Sequence, residues 1–345
     1  MASAVSSLHA GSGNERFNAE AASWDRNPFV HSASRHASTA ILSRFPALKN
    51  PPGPNGLDIL EIGCGTGLLS FMLAPYARRL VAVDAAEGMI DVLKTKLQAD
   101  GAPQNIVPVA VLLEDPEDKS LPPADDKEPN GKRLKFDLIT SHLVLHHIPD
   151  LRAVLTTMLG CLKDGGSIAL TDFEDTGPES KRFHAKSRMG GVERHGINRD
   201  MMEILLNEVG FVNVRVETAW SMDKTVEKFE GEFGDQGRPN NQQGQGEIRS
   251  FPFVLCMGER KFCHEWARAM VLWSVGGTES ILDSEFSLTD FITDFATGLG
   301  RWSSFTSRAS FGQYTQHGGQ RIGYRMGHGS VLGCLKYRVG EVKEQ

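Results

Sequence analysis

The sequence predicts an α/β fold with a doubly wound, mostly parallel sheet of seven strands. Short apolar runs alternate with helical patterns between residues 57 and 258, which is typical of βαβ units. A glycine-rich turn separates the first of these runs from the first helix, as in folds that bind nucleotides at this point. The 345 residues are 40% hydrophobic and 23% charged, which suits one large core or two ordinary domains.

The N-terminal region precedes this alternating pattern. Residues 1–16 are rich in Ala, Ser and Gly, and we expect them to be mobile. A helical pattern begins at Phe17 and breaks before Pro28, because the residue preceding a proline avoids the helical conformation. A second helix is predicted for residues 32–45, ending before the proline- and glycine-rich stretch 50–56.

The sheet is predicted from seven short apolar runs and the helical patterns between them. The predicted strands span residues 57–62, 80–84, 106–113, 136–141, 167–171, 211–218 and 252–258. The predicted helices span residues 66–76, 86–99, 151–162 and 199–209, and an acidic loop covers 115–135. This arrangement places the main domain at residues 17–261.

Two segments lack the alternating pattern. Residues 230–250 are polar and rich in Gly, Gln and Asn, which predicts a flexible loop within the domain. Residues 262–345 show little periodicity apart from helical candidates at 264–275 and 281–295, and we expect a poorly ordered C-terminal extension. A binding extension, a disordered tail and a segment absent from the native transcript all stay open as interpretations.

Charge and cysteine usage limit the classes of function. The 43 acidic and 37 basic residues give a net charge of −6, which argues against a nucleic-acid partner. Five cysteines without a CxxC pair favour reduced thiols in a cytosol-like compartment. No signal-peptide pattern and no run of 18 apolar residues occur, so we expect a cytoplasmic protein with no membrane partner. The oligomeric state stays open.

The turn at residues 61–67 (EIGCGTG) is the strongest binding motif. Its glycines let the main chain approach a ligand, and the following helix start offers free N–H groups. A dinucleotide fingerprint needs a glycine at position 68, where this chain has Leu68, so a nicotinamide-dependent oxidoreductase is disfavoured. Asp84 closes the second strand, where a carboxylate can accept hydrogen bonds from two ribose hydroxyls. The motif therefore predicts a nucleoside site.

Four segments, in this order, resemble class I S-adenosylmethionine-dependent methyltransferases. They are LEIGCGTG (60–67), VDAAEGMI (83–90), FDLITSHLVLHHIPD (136–150) and LKDGGSIALTDF (162–173). The early WDRNP and the later RHGI are similar to the small-molecule branch, which includes fungal natural-product enzymes and quinone methyltransferases. The likeness covers residues 17–261, and it implies a Rossmann-like domain with an N-terminal helical lid that contains Trp24 and Phe29.

The resemblance implies S-adenosyl-L-methionine as the cofactor. Asp84 would bind the ribose, Met89 would pack near the adenine unless it is an ordinary core residue, and Glu61 would anchor the loop or the methionine amino group. The cofactor-binding residues that the resemblance implies are Glu61, Gly63, Cys64, Gly65, Gly67, Asp84, Met89, Glu114, Asp115, Ser141 and His142.

Methyl transfer from a sulfonium depends mainly on placement, and a general base is needed only when the acceptor arrives protonated. The catalytic candidates are His146, His147, His195 and Asp172. Structural roles stay open for each: packing below the cofactor for one of the paired histidines, a turn for His195 and a loop cap for Asp172. The spacing of His142 and His146 suits a metal, but no carboxylate or cysteine completes a ligand set, so no metal is predicted.

These observations predict methyl transfer to a small-molecule acceptor, a secondary metabolite or a quinone or other aromatic compound. A protein from a different class, a regulatory or scaffold protein that binds the cofactor without turnover, is the alternative. The acceptor atom and the identity of the substrate stay open.

Overall fold

The computed structural model describes residues 3–49, 56–234, 237–239, 244–262, 314–317 and 320–323. The chain divides into two compact units, Met1–His264 and Glu265–Gln345. The boundary between these units falls close to the predicted end of the main domain at residue 261.

Seven strands form one sheet in the first unit. They are β1 (Leu57–Ile62), β2 (Ala77–Asp84), β3 (Ile106–Ala110), β4 (Phe136–His142), β5 (Leu162–Phe173), β6 (Phe211–Val226) and β7 (Glu247–Arg260). Their order is β3-β2-β1-β4-β5-β7-β6, with β1 to β5 parallel and β7 antiparallel to both of its neighbours. The order reverses between β1 and β4, which opens a crevice at their carboxyl ends. The predicted doubly wound, mostly parallel sheet of seven strands is confirmed.

Six α-helices accompany the sheet in the described part of the first unit. They are α1 (Ser3–Trp24), α2 (Pro28–Arg44), α3 (Leu68–Leu73), α4 (Glu87–Leu97), α5 (Leu151–Cys161) and α6 (Arg199–Val209). Three of them begin at side-chain caps: Asn27, Asp150 and Asn198 each accept a main-chain N–H of the first turn. Gly210 ends α6 in the left-handed conformation.

The sheet is buried on both faces, because alternate residues of each strand point to opposite sides. Leu60 and Ile139 belong to one core cluster, which includes residues of α5 and α6. Ile59 and Leu138 belong to the other, which includes residues of α2, α3 and α4. All four side chains are fully buried or nearly so, and the strand ends that form the crevice are therefore held rigidly.

Helix α1 begins at Ser3, so residues 3–16, which were expected to be mobile, are helical. Its later turns make tertiary contacts. The Arg16 guanidinium donates to the carbonyl oxygens of Arg188 and Gly190, both at 2.8 Å, and Asn18 Oδ1 accepts the N–H of Gly88. These contacts between distant parts of the chain hold this part of the helix, and a local sequence pattern does not contain them.

Strands β6 and β7 extend well beyond the predicted ranges 211–218 and 252–258. The prediction of a loop at residues 247–250 was wrong, because these residues pair with 223–226 in an antiparallel ribbon. Polar side chains that stay in contact with solvent dominate this part of the ribbon, and hence the hydrophobic pattern of a strand is missing there.

In the second unit the described residues form an antiparallel hairpin of β8 (Tyr314–His317) and β9 (Gln320–Gly323). The helices predicted at 264–275 and 281–295 lie outside the described residues. Within the described part of the chain, no helix is both long and apolar enough to cross a membrane. Cys64, Cys161 and Cys256 are buried free thiols.

Candidate functional site

A cavity of about 1390 Å³ opens at the carboxyl ends of β1, β2 and β4. Its walls are completed by α1, the start of α2, residues 182–193 and the extended part of β6. The predicted site residues that line it are Glu61, Gly63, Cys64, Gly65, Asp84, Met89, Glu114, His142, His146 and His147. Gly67, Asp115, Ser141, Asp172 and His195 are not among its lining residues.

The turn after β1 needs glycine for steric reasons. Gly63 and Gly65 adopt φ angles of +72° and +54°, in the left-handed region. A Cβ on Gly63 would lie 2.3 Å from Val144 Cγ2, so even alanine does not fit. The N–H groups of Gly63 and Cys64 both donate to the carbonyl oxygen of Val83, at 2.8 and 3.0 Å, and fix the turn against β2.

Asp84 connects this turn to the end of β2. Its carboxylate accepts the N–H of Gly65 at 2.7 Å and the N–H of Ala86 at 2.8 Å. A carboxylate has about four acceptor positions, so about two remain for a ligand in the cavity. Burial raises the pKa of Asp84. These free positions, the bare main chain of the turn and the apolar side chain of Met89 fit a nucleoside.

Glu61 lies beneath the turn and is buried. Its carboxyl group accepts the hydroxyl of Ser70 at 2.5 Å, which ties β1 to α3. Burial raises its pKa to about 8, and the nearby charge of Asp84 acts in the same direction. A cationic group in the cavity would stabilise the charged carboxylate, so this residue fits the ammonium of an amino acid.

The connection between α1 and α2 is tied to the turn through Asp25. Its two carboxylate oxygens accept the hydroxyl of Thr66 at 2.5 Å and the ammonium of Lys96 at 2.8 Å. Trp24 and Phe29, on either side of Asp25, line the cavity. Asp25 lies within the WDRNP motif, and a carboxylate inside a motif was a usable signal for this role, which was not predicted.

Asp172 and His146 form a buried pair at the other end of the cavity. The His146 Nδ1–H donates to the Asp172 carboxylate at 2.8 Å, and the main-chain N–H of His146 donates to the same group at 3.1 Å. Since a carboxylate can only accept here, Nδ1 carries the proton and Nε2 of a neutral ring carries the lone pair. Asp172 therefore acts through His146 and does not itself line the cavity.

His142 and His147 are also held by hydrogen bonds at Nδ1. His147 Nδ1 donates to the carbonyl oxygen of Gly191 at 2.6 Å, and His142 Nδ1 lies 2.9 Å from Thr171 Oγ1. Burial lowers the pKa of His147 to about 3 and that of His142 to about 4. Both rings are therefore neutral at physiological pH.

His184 joins this group of histidines, and the sequence analysis missed it. It follows the 3₁₀ turn Pro178–Phe183, and its ring centroid lies 5.1 Å from that of His146 and 6.0 Å from that of His147. No sequence signal identifies it, because the segment between β5 and α6 has no regular pattern.

Lys224 was also missed, because the prediction ended the sixth strand at residue 218. Its Nζ lies 3.7 Å from the ring centroid of Phe183 and 4.9 Å from that of Phe29, and it donates to the Phe183 carbonyl at 2.6 Å. Burial lowers the pKa of this amine to about 7. The extended ribbon thus places a weakly basic amine among aromatic rings on the cavity wall.

The predicted site residues outside the cavity have other positions. Gly67 precedes α3, where a Cβ would lie 2.5 Å from Leu93 Cδ1. Asp115 is exposed and accepts the N–H of Glu117, and Ser141 is fully buried within β4. His195 is exposed, so the structure gives it no contact with the cavity.

Comparison with known proteins identifies the central part of the chain. Residues 60–168 match the family described as "Methyltransferase domain". An uncharacterized methyltransferase of Schizosaccharomyces pombe is 28% identical over 146 residues, which are 41% of this chain and 47% of that protein. The biotin biosynthesis bifunctional protein BioCD of Bordetella avium is 35% identical over 45% of this chain and 29% of its own length.

A ubiquinone biosynthesis O-methyltransferase of Xanthomonas axonopodis pv. citri is 28% identical over 36% of this chain and 46% of its own length. The chain thus spans less than half of the length of each of these curated relatives.

Proposed function

We propose that this protein, whose residues 60–168 match the methyltransferase-domain family, transfers a methyl group from S-adenosylmethionine to a small aromatic or quinone-like acceptor. One observation carries the proposal. A single cavity joins the glycine turn and Asp84 at one end to the buried pair of His146 and Asp172 at the other. Residues suited to the cofactor and residues suited to the acceptor therefore line the same cavity.

The cofactor, when bound, supplies a methyl carbon that its sulfonium has already activated for displacement. Asp84 would accept hydrogen bonds from the ribose, and Glu61 would neutralise the ammonium of the methionine portion. Trp24, which lines the cavity next to the tied Asp25, would shield the transfer from water. The main contribution of these residues is placement, which can be worth about 7–11 kcal/mol of the barrier.

His146 is our proposed proton acceptor when the acceptor arrives as a hydroxyl. His146 lines the cavity, its buried Nε2 makes no hydrogen bond, and Asp172 would stabilise the imidazolium that forms. Transfer of this proton to a positioned imidazole contributes roughly 10²–10⁴-fold to a reaction rate.

The cavity wall favours an aromatic acceptor. Phe17, Phe29 and Phe183 line it, with the Lys224 amine packed against two of these rings. Such a surface can stack on a planar ring and pair with an oxygen substituent that carries partial or full negative charge. The relative named a ubiquinone biosynthesis O-methyltransferase supports a phenol or quinol as the acceptor.

Cofactor binding is the first test. Calorimetry with the full chain should detect one S-adenosylmethionine per chain, and Asp84→Asn should weaken binding by about 10–100-fold, as expected for loss of hydrogen bonds to a charged group. Asp91→Asn, an exposed change on α4, should bind like the unchanged protein. Absence of binding, or equal affinity in Asp84→Asn, would overturn the proposed cofactor site.

Turnover is the second test. The full chain would be incubated with methyl-labelled S-adenosylmethionine and a panel of catechols, hydroquinones, indoles and aromatic acids. We expect the labelled methyl group to appear on compounds of one chemical class in this panel. Tight cofactor binding without any labelled product would instead favour a regulatory protein that keeps the cofactor pocket.

A further inference from the structure

Three histidines from two separate parts of the chain converge on the acceptor end of the cavity. His146 and His147 follow β4, and His184 follows β5 by the 3₁₀ turn. One ring nitrogen from each lies within 4.8 Å of the other two, and all three residues line the cavity. His146 is buried and the other two are partly buried.

Two of these nitrogens have no partner within the described part of the chain. His146 Nε2 and His184 Nδ1 are buried and make no hydrogen bond. Buried polar atoms of native proteins nearly always have a partner, so two unpaired nitrogens on residues that line one cavity indicate that a ligand completes them.

The imidazole rings of His146 and His147 are each held by a hydrogen bond at Nδ1. The Asp172 carboxylate accepts Nδ1–H of His146, and the Gly191 carbonyl accepts Nδ1–H of His147. Histidines that bind metals almost always donate their other ring N–H to a carboxylate or carbonyl, which orients the ring and makes the ligating nitrogen more basic. The two Nε2 lone pairs are therefore directed and ready to coordinate.

We propose that His146, His147 and His184 bind one divalent transition-metal ion, with Zn²⁺ as the best fit to three imidazole nitrogens. Three imidazoles on one tetrahedral zinc lie about 3.4 Å apart at their nitrogens, so the rings need to close by roughly an ångström. Three protein ligands leave a fourth position open toward the cavity, which is the arrangement of catalytic sites.

The metal site goes beyond the proposed methyl transfer and does not depend on it. A bound metal would occupy the Nε2 lone pair of His146, so His146 would then not act as the proton acceptor. Coordination of the acceptor hydroxyl would lower the pKa of that hydroxyl, and its proton would leave to solvent.

The test uses the full chain, stripped of metal and titrated with Zn²⁺ against a chromophoric chelator. We expect one tight equivalent per chain, and about a hundredfold or greater loss of affinity in His184→Ala and in His147→Ala. His36→Ala, an exposed histidine on α2, should keep the full affinity. Substitution by Co²⁺ should give visible absorption of tetrahedral intensity that disappears in His184→Ala.

Two results would overturn the metal site. One is that the unchanged protein binds no Zn²⁺ tightly. The other is that His184→Ala and His147→Ala both bind Zn²⁺ as tightly as the unchanged protein, which would place the metal elsewhere, for example on the cysteine thiols. S-adenosylmethionine affinity, measured on the same variants, shows whether they are folded. If the unchanged protein does not bind S-adenosylmethionine, the proposed function is refuted, while the result of the Zn²⁺ titration still stands.

Discussion

Asp172 determines which nitrogen of His146 faces the cavity. Its carboxylate accepts both the ring N–H and the main-chain N–H of His146. The same carboxylate also accepts the main-chain N–H of Phe173 at 2.9 Å, which fixes the orientation of the Asp172 side chain. A residue that does not touch the cavity thus controls the chemistry of one that does. Asp172 is a positioning residue.

Changes in this pair should affect turnover and spare cofactor affinity. His146→Gln and Asp172→Asn are expected to lower kcat by about 10²–10⁴-fold, since each removes the directed lone pair. The Kd of S-adenosylmethionine, measured by calorimetry, should stay within about twofold. A kcat unchanged in both variants would exclude the pair from the reaction, and His36→Gln serves as the matched exposed control.

Glu61 should make stability depend on pH. The pKa of Glu61 in the folded protein, about 8, lies above the ordinary value of 4.5. The contribution of this carboxyl to the free energy of unfolding is therefore complete below pH 4.5 and is lost as the pH rises toward 8. The difference in unfolding free energy between the unchanged protein and Glu61→Gln should fall by up to about 1.4 kcal/mol per pH unit between pH 4.5 and 8. Urea unfolding at pH 5.5, 6.5 and 7.5 measures it.

Glu87→Gln is the control for this measurement, because Glu87 is exposed at the start of α4. Its unfolding free energy should run parallel to that of the unchanged protein. If the unfolding free energy of Glu61→Gln also ran parallel to that of the unchanged protein across these pH values, the buried carboxyl would not titrate in this range.

The residues of the cofactor end were predictable, because Gly63, Gly65 and Asp84 follow directly from one motif and one strand end. The acceptor end was predictable only in part. His146, His147 and Asp172 close adjacent strands and were identified, but their pairing was not. His184 was not identified, since it follows an irregular segment whose path depends on packing around Phe183.

At the level of elements, the turn that carries His146 is held by the segment before α6. The N–H groups of Glu193 and Arg194 both donate to the His146 carbonyl, at 2.9 and 3.2 Å. The Arg194 guanidinium donates to the carbonyls of Leu145, Ile148 and Pro149. One side chain therefore binds three carbonyl groups of the turn, and the Leu145 carbonyl also accepts the N–H of Ile148 at 3.2 Å.

Arg194→Lys should destabilise the protein by about 1–3 kcal/mol, because a single ammonium cannot reach three carbonyls with the geometry of a guanidinium. Urea unfolding measures this loss. The same substitution at Arg152, whose exposed ion pair with Glu208 joins α5 and α6, should change stability by less than about 0.5 kcal/mol. Equal effects at both positions would contradict the proposed role of Arg194.

The ribbon of β6 and β7 brings Lys224 to the cavity, and replacing that amine should have opposite effects on stability and function. Lys224→Met keeps the length of the side chain and removes a desolvated charge, so the melting temperature should rise by a few degrees. The KM for the acceptor should increase about tenfold or more, with the KM for S-adenosylmethionine unchanged. A lower melting temperature and an unchanged acceptor KM would contradict this assignment.

The limits of sequence analysis at this level are physical. The ends of β6 and β7 depend on pairing between distant segments and lack hydrophobic periodicity. By contrast, β1, β2, β4 and β5 are mostly buried, so their apolar runs identified them, with the largest error at the start of β5.

For the whole molecule, the two compact units divide the chain between His264 and Glu265. Every residue that lines the cavity lies between Asn14 and Pro239, and all the described core clusters lie in the first unit. The first unit therefore contains a complete sheet with both faces covered, which is what independent folding requires.

A shortened chain that ends at His264 should consequently unfold cooperatively and bind S-adenosylmethionine with a Kd within about threefold of that of the full chain. A chain that ends at Gly246 is the matched control. It lacks β7, which lies between β5 and β6, so the edges of both strands would be unpaired. We expect this shorter chain to be unfolded or aggregated. Circular dichroism during heating, followed by calorimetry, distinguishes the two chains. Failure of the chain ending at His264 to fold or to bind would show that residues 265–345 contribute to the site.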